Sequence, residues 1–270
     1  MSSNPTPRES SDHLQQRKTL IRLEAAVDAL KVDTLDASHL DRLNIKRQQM
    51  SLNKASDLTP RFFAPKPNLP EPTNELVREA VECLYHEDAF TDAMSRAYAL
   101  EGDWSSYAFS ETEWRATNDL WRTMSSYGLM LLGSVCNYTP FKPLYKYDKP
   151  DFGVFKIMDI PEDQFPHMKA VIYHGLEGED RTLCRGELLI ILRLMLGQLK
   201  KTRLLRHKVV PILIVSFMGK TARLLESYFD GQSLVLRSSD LYEFSDQTAM
   251  SVVFKTLAEW YLGDPAGNTL

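Results

Sequence analysis

Apolar side chains between residues 183 and 207 recur on nearly every face of a helical period. A helix that is apolar all round is buried, because it has no side suited to water. The segment ends in a group of cations, which complement the negative end of a helix dipole. We therefore predict a central buried helix that ends near His207.

A strand and a hairpin are predicted after this helix. Residues 209–217 are β-branched and too short for a second buried helix, which indicates a core strand. Pro211 cannot donate to a strand ladder, so we expect it at the start of this strand or on an edge. Asp230-Gly231 stands between two strand-like runs and predicts a β-hairpin.

Shorter patterns complete the C-terminal half. Two strands are predicted before the central helix, at residues 152–157 and 169–173. Ser245 is expected to cap a closing helix, which Gly263 and Pro265 end. The fold class is therefore α+β (or α/β), with a small mixed β-sheet and flanking helices in the C-terminal half.

The N-terminal half follows helical spacing. The predicted helices cover residues 14–30, 37–53, 73–84, 90–100 and 110–131, the last opened by a capping box of Ser110 and Glu113. The first carries one apolar stripe that fades after Leu30. A zipper needs three or four heptads, so we favour a docked helix or a short pairing helix.

A proline-rich stretch divides the chain into its predicted parts. These parts are a disordered tail at residues 1–13, a helical arm at 14–57, a linker at 58–72 and a single α+β domain at 73–270. The tail lacks periodicity, and each proline of the linker restricts the residue before it to extended backbone. A PxxP ligand for an SH3-like module is the less favoured interpretation of the linker.

Composition narrows the class of protein. The chain has 270 residues, 43% of them apolar, and a formal net charge of −4. This balance is not that of a dedicated nucleic-acid binder, although it leaves room for a local basic patch. No secretory or membrane-spanning segment is predicted, which favours an intracellular protein, cytoplasmic or nuclear. Three distant cysteines indicate neither a disulfide framework nor a zinc site.

Several catalytic motifs are missing or incomplete. Gly219-Lys220-Thr221 resembles the end of a phosphate-binding loop, but the position five residues before the Gly-Lys pair is Ile214, inside a predicted strand. A hairpin turn is therefore the favoured interpretation. The sequence contains no His-Glu-x-x-His, Gly-x-Ser-x-Gly or Gly-x-Gly-x-x-Gly motif, which leaves zinc hydrolase, serine hydrolase and dinucleotide-binding functions without support.

Three residues are weak candidates for catalysis. Glu187 lies in the first turns of the buried helix, and a desolvated carboxylate there is a candidate functional group. The favoured alternative is structural, because an acid near a helix N-terminus interacts with the dipole and can bond an exposed amide. Turn chemistry alone explains Asp151. His174 directly follows the second predicted strand.

Four cations near the end of the central helix are weak candidates for phosphate or partner binding. They are Lys200, Lys201, Arg203 and Lys208. Cationic helix ends are commoner than binding patches, so the favoured interpretation is a solvated surface.

From Pro150 onward, the order strand, strand, long helix, strand resembles the core of the PD-(D/E)xK nuclease-like superfamily. In that core, Pro-Asp opens one strand and an acid-x-Lys triplet closes the next. Pro150-Asp151 matches the first motif. Residues 169–175 lack a carboxylate and an acid-x-Lys, so a metal ligand and the lysine have no counterpart here. Where the acid lies on the following helix instead, Glu187 is the matching residue.

The last third of the chain resembles a family of uncharacterised fungal proteins. The resemblance rests on residues 183–262, which include VVPILIVSFMGK, YFDGQSLVLRSS and WYLGDPAG. It implies no known activity.

We expect a non-catalytic interaction or regulatory protein, with a protein partner at the N-terminal helix and no cofactor. One alternative is a metal-dependent nuclease-like protein or its inactive descendant, with Mg or Mn at Asp151 and Glu187. Another is an enzyme or accessory protein for a small molecule, bound in a deep apolar pocket lined by Trp104, Trp114, Trp121 and the aromatic residues of the loop from Tyr138 to Tyr147. Nucleic-acid binding and oligomeric state stay open.

Overall fold

Eight strands form one mixed β-sheet in the computed structural model, which describes residues 9–85, 91–112, 114, 118, 120–126 and 141–270. All the strands are β1 Thr34–Leu35, β2 Ile45–Gln49, β3 Arg122–Ser126, β4 Phe152–Asp159, β5 Met168–His174, β6 Leu183–Cys184, β7 Ile212–Met218, β8 Thr221–Phe229, β9 Leu234–Ser238 and β10 Tyr242–Glu243. The α-helices are α1 Ser11–Asp28, α2 Ala37–Arg42, α3 Asn74–Tyr85, α4 Ala93–Ser106, α5 Arg185–Leu199 and α6 Gln247–Leu262. A π-helical turn, Tyr107–Glu111, follows α4, and a 3₁₀ turn, Thr202–Leu204, follows α5.

The order of strands in the sheet is β2-β9-β8-β7-β5-β4-β3, and β10 pairs with β8. Neighbouring strands are antiparallel except at β5–β7 and β2–β9. The parallel pair β5–β7 is joined by the crossover helix α5, as parallel pairs require. The predicted α+β class is confirmed, and the sheet is larger than expected because β2 and β3 come from the N-terminal half.

The sheet separates two hydrophobic cores. On one face, α1 and α5 pack against Ile212 and Ile214 of β7. On the other, α3, α4 and α6 pack against Leu213 and Val215 of the same strand. Successive side chains of a strand point to opposite faces, so one apolar strand supplies both cores. Nearly every residue of α5 is buried, which confirms the predicted central helix.

Two predicted turns are confirmed. Gly219 has a φ of +58° between β7 and β8, and a side chain at this position would collide with Glu177. Gly231 has a φ of +95° between β8 and β9. Both values favour glycine, so Gly219-Lys220 is a hairpin turn between antiparallel strands. Pro211 directly precedes β7, as expected, and its carbonyl accepts the Met168 N–H at 3.1 Å.

The central helix is shorter than predicted. It ends at Leu199, and Lys201 already has extended backbone angles (φ −78°, ψ 116°). Lys201 and Arg203 form ion pairs with Asp159 of β4, at 2.9 and 3.3 Å. These cations are therefore held by a carboxylate in the sheet rather than aligned along a continuing helix.

The closing helix lies where predicted and ends at Leu262, before Gly263. Its cap is Asp246 rather than Ser245. The Asp246 carboxylate accepts the Ala249 N–H at 3.0 Å, and the Ser245 hydroxyl donates to the same carboxylate.

Two predicted helices contain strands instead. In residues 37–53, α2 ends at Arg42, Asn44 has a left-handed φ of 54°, and β2 then pairs with β9. In residues 110–131, Arg122–Ser126 forms β3 and pairs with β4. Glu113 and residues 127–131 lie outside the described residues. Pairing with distant strands satisfies the backbone of these segments, and periodicity within a segment does not reveal such a partner.

The first helix of the predicted arm, α1, packs against the central helix α5. Leu20 and Val27 of α1 are fully buried in the core that they share with α5. Glu24, also buried, accepts from Arg193 of α5 at 2.8 Å. The chain itself thus covers the apolar stripe, in line with the favoured docked-helix interpretation.

The predicted tail and linker are also more ordered than expected. Ser10 accepts the His13 N–H and caps α1, so residues 11–13 are helical, whereas residues 1–8 lie outside the described residues. In the linker, Phe62 and Phe63 are buried. The carboxylate of Glu226 in β8 accepts the Phe62 N–H at 2.7 Å. Aromatic burial and this hydrogen bond hold the proline-rich stretch against the sheet.

None of the helices in the described part of the chain is long and apolar enough to cross a lipid bilayer.

Candidate functional site

Asp151 and His174 line one small cleft at the start of β4 and the end of β5. The two strands pair with Phe152 opposite His174, and the Asp151 carbonyl accepts the Gly175 N–H at 2.8 Å. The cleft has about 210 Å³ of free space, of which about 10 Å³ admits the centre of a water molecule. That volume is at the lower limit for one water. Antiparallel pairing therefore brings these two predicted residues together around a very small space.

His174 is enclosed in this cleft. It is 1% exposed, and its Nε2 atom has no hydrogen-bond partner among the described residues. Burial lowers the pKa of its imidazole to about 4, so the ring is neutral at pH 7. Gly186 permits the tight packing, since a Cβ there would lie 2.6 Å from Cε1 of His174. A neutral imidazole can exchange a hydrogen bond with one small polar group.

Asp151 is only partly buried, and the pKa of its carboxylate is raised. Burial raises its pKa, and the nearby carboxylate of Asp92 adds to the rise. The cations Lys149 and Lys146 act in the opposite direction. The side chain therefore lies at a mixed, partly solvated surface.

Glu187 is fully buried and forms an ion pair with Arg223 of β8. Its Oε1 accepts from Arg223 Nε at 2.9 Å, and its Oε2 accepts from Nη2 at 2.5 Å. Oε2 also accepts the Cys184 N–H at 2.8 Å, which completes a capping box at the start of α5. Burial alone would raise the pKa of Glu187, but Arg223 holds it below its ordinary value.

Arg223 is as enclosed as its partner, with 1% of its side chain exposed. It also donates to the carbonyl oxygens of Glu179 and Thr182, at 3.3 and 2.9 Å. The ion pair thus fastens the loop before α5 to the sheet. Three donors on two carboxylate oxygens explain Glu187 without a ligand, in line with the structural interpretation of its position.

No group of three or more His, Cys, Asp or Glu side chains within the described residues is arranged to hold a metal ion. Asp151 and His174 meet at the cleft. Glu187 lies close enough to His174 to act on it electrostatically, but its oxygens are occupied by Arg223 and Cys184.

Three cations surround one buried carboxylate at the opposite end of β4. Asp159 is 0% exposed and contacts Arg122 at 3.5 Å, Lys201 at 2.9 Å and Arg203 at 3.3 Å. We call these four residues the Asp159 cluster. Two of the four predicted cations, Lys201 and Arg203, therefore belong to one site.

The other two predicted cations lie elsewhere. Lys200 is exposed, with its ammonium 4.8 Å from the centre of the Phe141 ring. Lys208 lines a groove of about 720 Å³ with Arg206 and residues of α1, among them Gln16.

The three tryptophans proposed as pocket walls are core residues. Trp104, Trp114 and Trp121 are each at most 5% exposed. Their indole N–H groups donate to the carbonyl oxygens of Phe254, Leu262 and Gly263. These three side chains are therefore packed and hydrogen-bonded within the core.

Lys169 of β5 is a fully buried lysine that the residue pattern did not single out. Its Nζ donates to the Gly263 carbonyl at 2.5 Å and lies 3.8 Å from the centre of the Trp121 ring. Burial lowers the pKa of this amine well below its ordinary value. A lysine in an apolar strand was the available signal. Its contact with the carbonyl that ends α6 identifies it as a structural donor at a helix C-terminus.

The described chain is an α+β protein with two polar sites, one at each end of β4. Comparison with protein-family models, with curated proteins and with solved structures finds no match.

Proposed function

We propose that this chain is a non-catalytic interaction or regulatory protein built on a nuclease-like core. The segment β4-β5-α5-β7, with β4 antiparallel to β5 and β5 parallel to β7, supports the core assignment. Pro150-Asp151 directly before β4 supports it as well. The proposed role is binding rather than turnover.

The occupied carboxylate of Glu187 carries the proposal. Divalent-metal hydrolysis of a phosphodiester needs ligands that hold the ion and a group that activates water. Under the nuclease hypothesis, Glu187 is the second acid beside Asp151. Both oxygens of Glu187 already accept from Arg223, at 2.9 and 2.5 Å, and both side chains are at most 1% exposed. A metal ion would have to displace a buried arginine and leave its charge unpaired, which is strongly unfavourable.

The end of β5 supports the same conclusion. The strand brings His174 and Gly175 beside Asp151, where the superfamily pattern has an acid and a lysine. His174 is neutral at pH 7 because burial lowers its pKa to about 4. A neutral imidazole offers a nitrogen rather than the oxygen ligands that Mg²⁺ prefers, so this pair supplies one carboxylate for that ion.

A cleavage assay tests the proposal. Purified protein is incubated with plasmid and with single-stranded DNA or RNA, in magnesium or in manganese, beside Asp151→Asn and Asp148→Asn variants. Asp148 is an exposed acid in the same loop and provides the matched control. We expect no cleavage above the buffer blank in any sample.

Metal-dependent nicking by the wild type that Asp151→Asn abolishes and Asp148→Asn retains would overturn the non-catalytic proposal. Nicking that persists in both variants would come from a contaminant or from other residues. Purification to constant specific activity separates these two sources.

A further inference from the structure

β2 ends the strand order of the sheet, next to β9. In a parallel pair, the backbone groups of alternate residues face the neighbouring strand. The Met50 N–H faces β9, where it donates to the Ser238 carbonyl at 2.8 Å, so the backbone groups of Arg47 and Gln49 face away from β9. None of the described residues forms a backbone hydrogen bond with these outward groups. An unpaired strand edge of this kind is a template for another strand.

The open edge has the length of β2 itself. Before β2, the chain turns at Asn44, whose φ is 54° and whose N–H donates to the Asp41 carbonyl at 3.0 Å. After β2, the outward N–H of Ser51 donates to the Leu58 carbonyl at 3.0 Å. An added strand therefore meets a short edge that is bounded at both ends.

This edge carries little of the protection that proteins usually give to exposed strands. Outward lysines, prolines and bulges are the common devices. The Lys46 ammonium is held by Asp230 at 2.9 Å, and the pairing of β2 with β9 advances residue by residue. Gln48 and Gln49 are exposed. A groove of about 370 Å³, lined by Asp41 and residues 44–48, leaves space beside the strand.

We propose that this edge binds a second copy of the chain, with the two β2 strands antiparallel about a two-fold axis at Gln48. Most soluble oligomers are closed and symmetric, and a two-fold interface requires a surface that is complementary to itself. The backbone edge of β2 meets this requirement, because residues opposite each other in an antiparallel pair can exchange both N–H···O bonds.

The side chains select the position of the axis. With the axis at Gln48, Arg47 of each copy lies opposite Gln49 of the other, and both residues have outward backbone groups. The two Gln48 side chains face each other, and each amide offers a donor and an acceptor. An axis at Arg47 would place two like charges opposite each other, which is destabilising. An axis at Lys46 would place Gln49 opposite Leu43, which lies before the strand.

The expected dimer is weak. A contact built around one short strand lies at the low end of interface sizes, where association is transient. We therefore expect a dissociation constant of about 10–500 µM.

This inference goes beyond the proposed function and does not depend on it. In the sheet, β9, β8, β7 and β5 lie between β2 and β4, the strand that begins beside Asp151. The association assay and the cleavage assay can therefore fail separately.

Sedimentation velocity on the full chain tests the proposal, at about 0.15 M salt and from about 5 µM to about 1 mM protein. The wild type should change from monomer to dimer over this range. Gln48→Glu and Gln48→Lys each place two like charges at the axis, so each should weaken the dimer about fivefold or more. An equimolar mixture of the two variants should form a heterodimer at least as tight as the wild-type dimer.

A second pair of variants tests the backbone contact. Gln49→Pro removes an outward N–H and keeps the ladder to β9, a position where an edge strand tolerates proline. It should weaken the dimer at least about tenfold. Gln49→Thr keeps the N–H and is the matched control, which should dimerise as the wild type does. Circular dichroism checks the fold of each variant, and the charge variants at the exposed Gln48 decide the matter if Gln49→Pro does not fold.

Three results would overturn the proposal. The first is a wild type that stays monomeric up to about 1 mM, which would leave β2 to an extended segment of another protein. The second is a dimer that the folded Gln49→Pro, Gln48→Glu and Gln48→Lys variants all retain, which would place the interface elsewhere. The third is a dimer that both charge variants lose and their mixture does not restore, because the axis would then not pass through Gln48.

Discussion

Replacing Glu187 by glutamine should destabilise the protein strongly, although the two side chains have nearly the same shape. The carboxylate accepts three hydrogen bonds, two from Arg223 and one from the Cys184 N–H. Glutamine offers one oxygen and one NH₂ group, so at least one donor would face another donor. Both partners of the ion pair are at most 1% exposed, and the arginine would keep a buried, unpaired charge.

The magnitude follows from this geometry. Removing one partner of a buried ion pair typically costs about 3–5 kcal/mol. The loss of one or two hydrogen bonds between charged groups, at roughly 1.5–3 kcal/mol each, gives the same range. Domains are stable by only about 5–15 kcal/mol, so the variant should fold in buffer but unfold at a clearly lower denaturant concentration.

Equilibrium unfolding in urea, followed by circular dichroism and tryptophan fluorescence, measures the change in free energy of unfolding. Glu82→Gln is the control, because Glu82 is 70% exposed and belongs to a surface pair that should contribute less than about 1 kcal/mol. The double variant Glu187→Met, Arg223→Met should be less destabilised than the sum of its single variants, since it leaves no buried charge unpaired.

A loss below about 1 kcal/mol for Glu187→Gln would refute this reasoning. The carboxylate would then not be required by the fold, and its assignment as a metal ligand would regain support.

Three further outcomes are expected. Leu192→Ala, at a fully buried position of α5, should lower the free energy of unfolding by about 2–5 kcal/mol, and a loss below about 0.5 kcal/mol in the same urea assay would mean that this face is exposed. Burial lowers the pKa of both His167 and His174 to about 4, so between pH 6.5 and pH 4 the unfolded chain binds protons that the folded chain does not. The free energy of unfolding should therefore fall across that window by on the order of 3 kcal/mol for each histidine. The same pH dependence of this free energy in His174→Gln and in the wild type would contradict the prediction for His174. Limited proteolysis should leave residues 11–72 attached to the rest of the protein, because α1 and β2 are packed into it. A stable fragment that begins near Thr73 would show instead that the arm is separable.

The candidate sites show which of their features can be predicted from residue patterns in the sequence. The sequence marked Glu187 as buried near a helix N-terminus, because that conclusion needs only the helix around it. It did not identify Arg223, which lies 36 residues away on a strand that pairs with β7. The same holds for Asp159, because its three cations come from β3 and from the segment after α5. Pairing of charges across elements depends on topology, which no spacing along the chain encodes.

The sequence by itself determined the elements whose signals are local. The apolar run of α5, the β-branched run of β7 and the glycine turns at Gly219 and Gly231 depend on neighbouring residues only, and each lies where it was predicted. Only the tertiary structure decided which elements the N-terminal half forms and where they pack. α1 docks on α5, and β2 pairs with β9, in each case a partner more than a hundred residues away in the chain. β3 forms by pairing with β4. A short segment forms a strand or a helix according to the backbone partner that it finds, and long-range burial then outweighs its weak local preference.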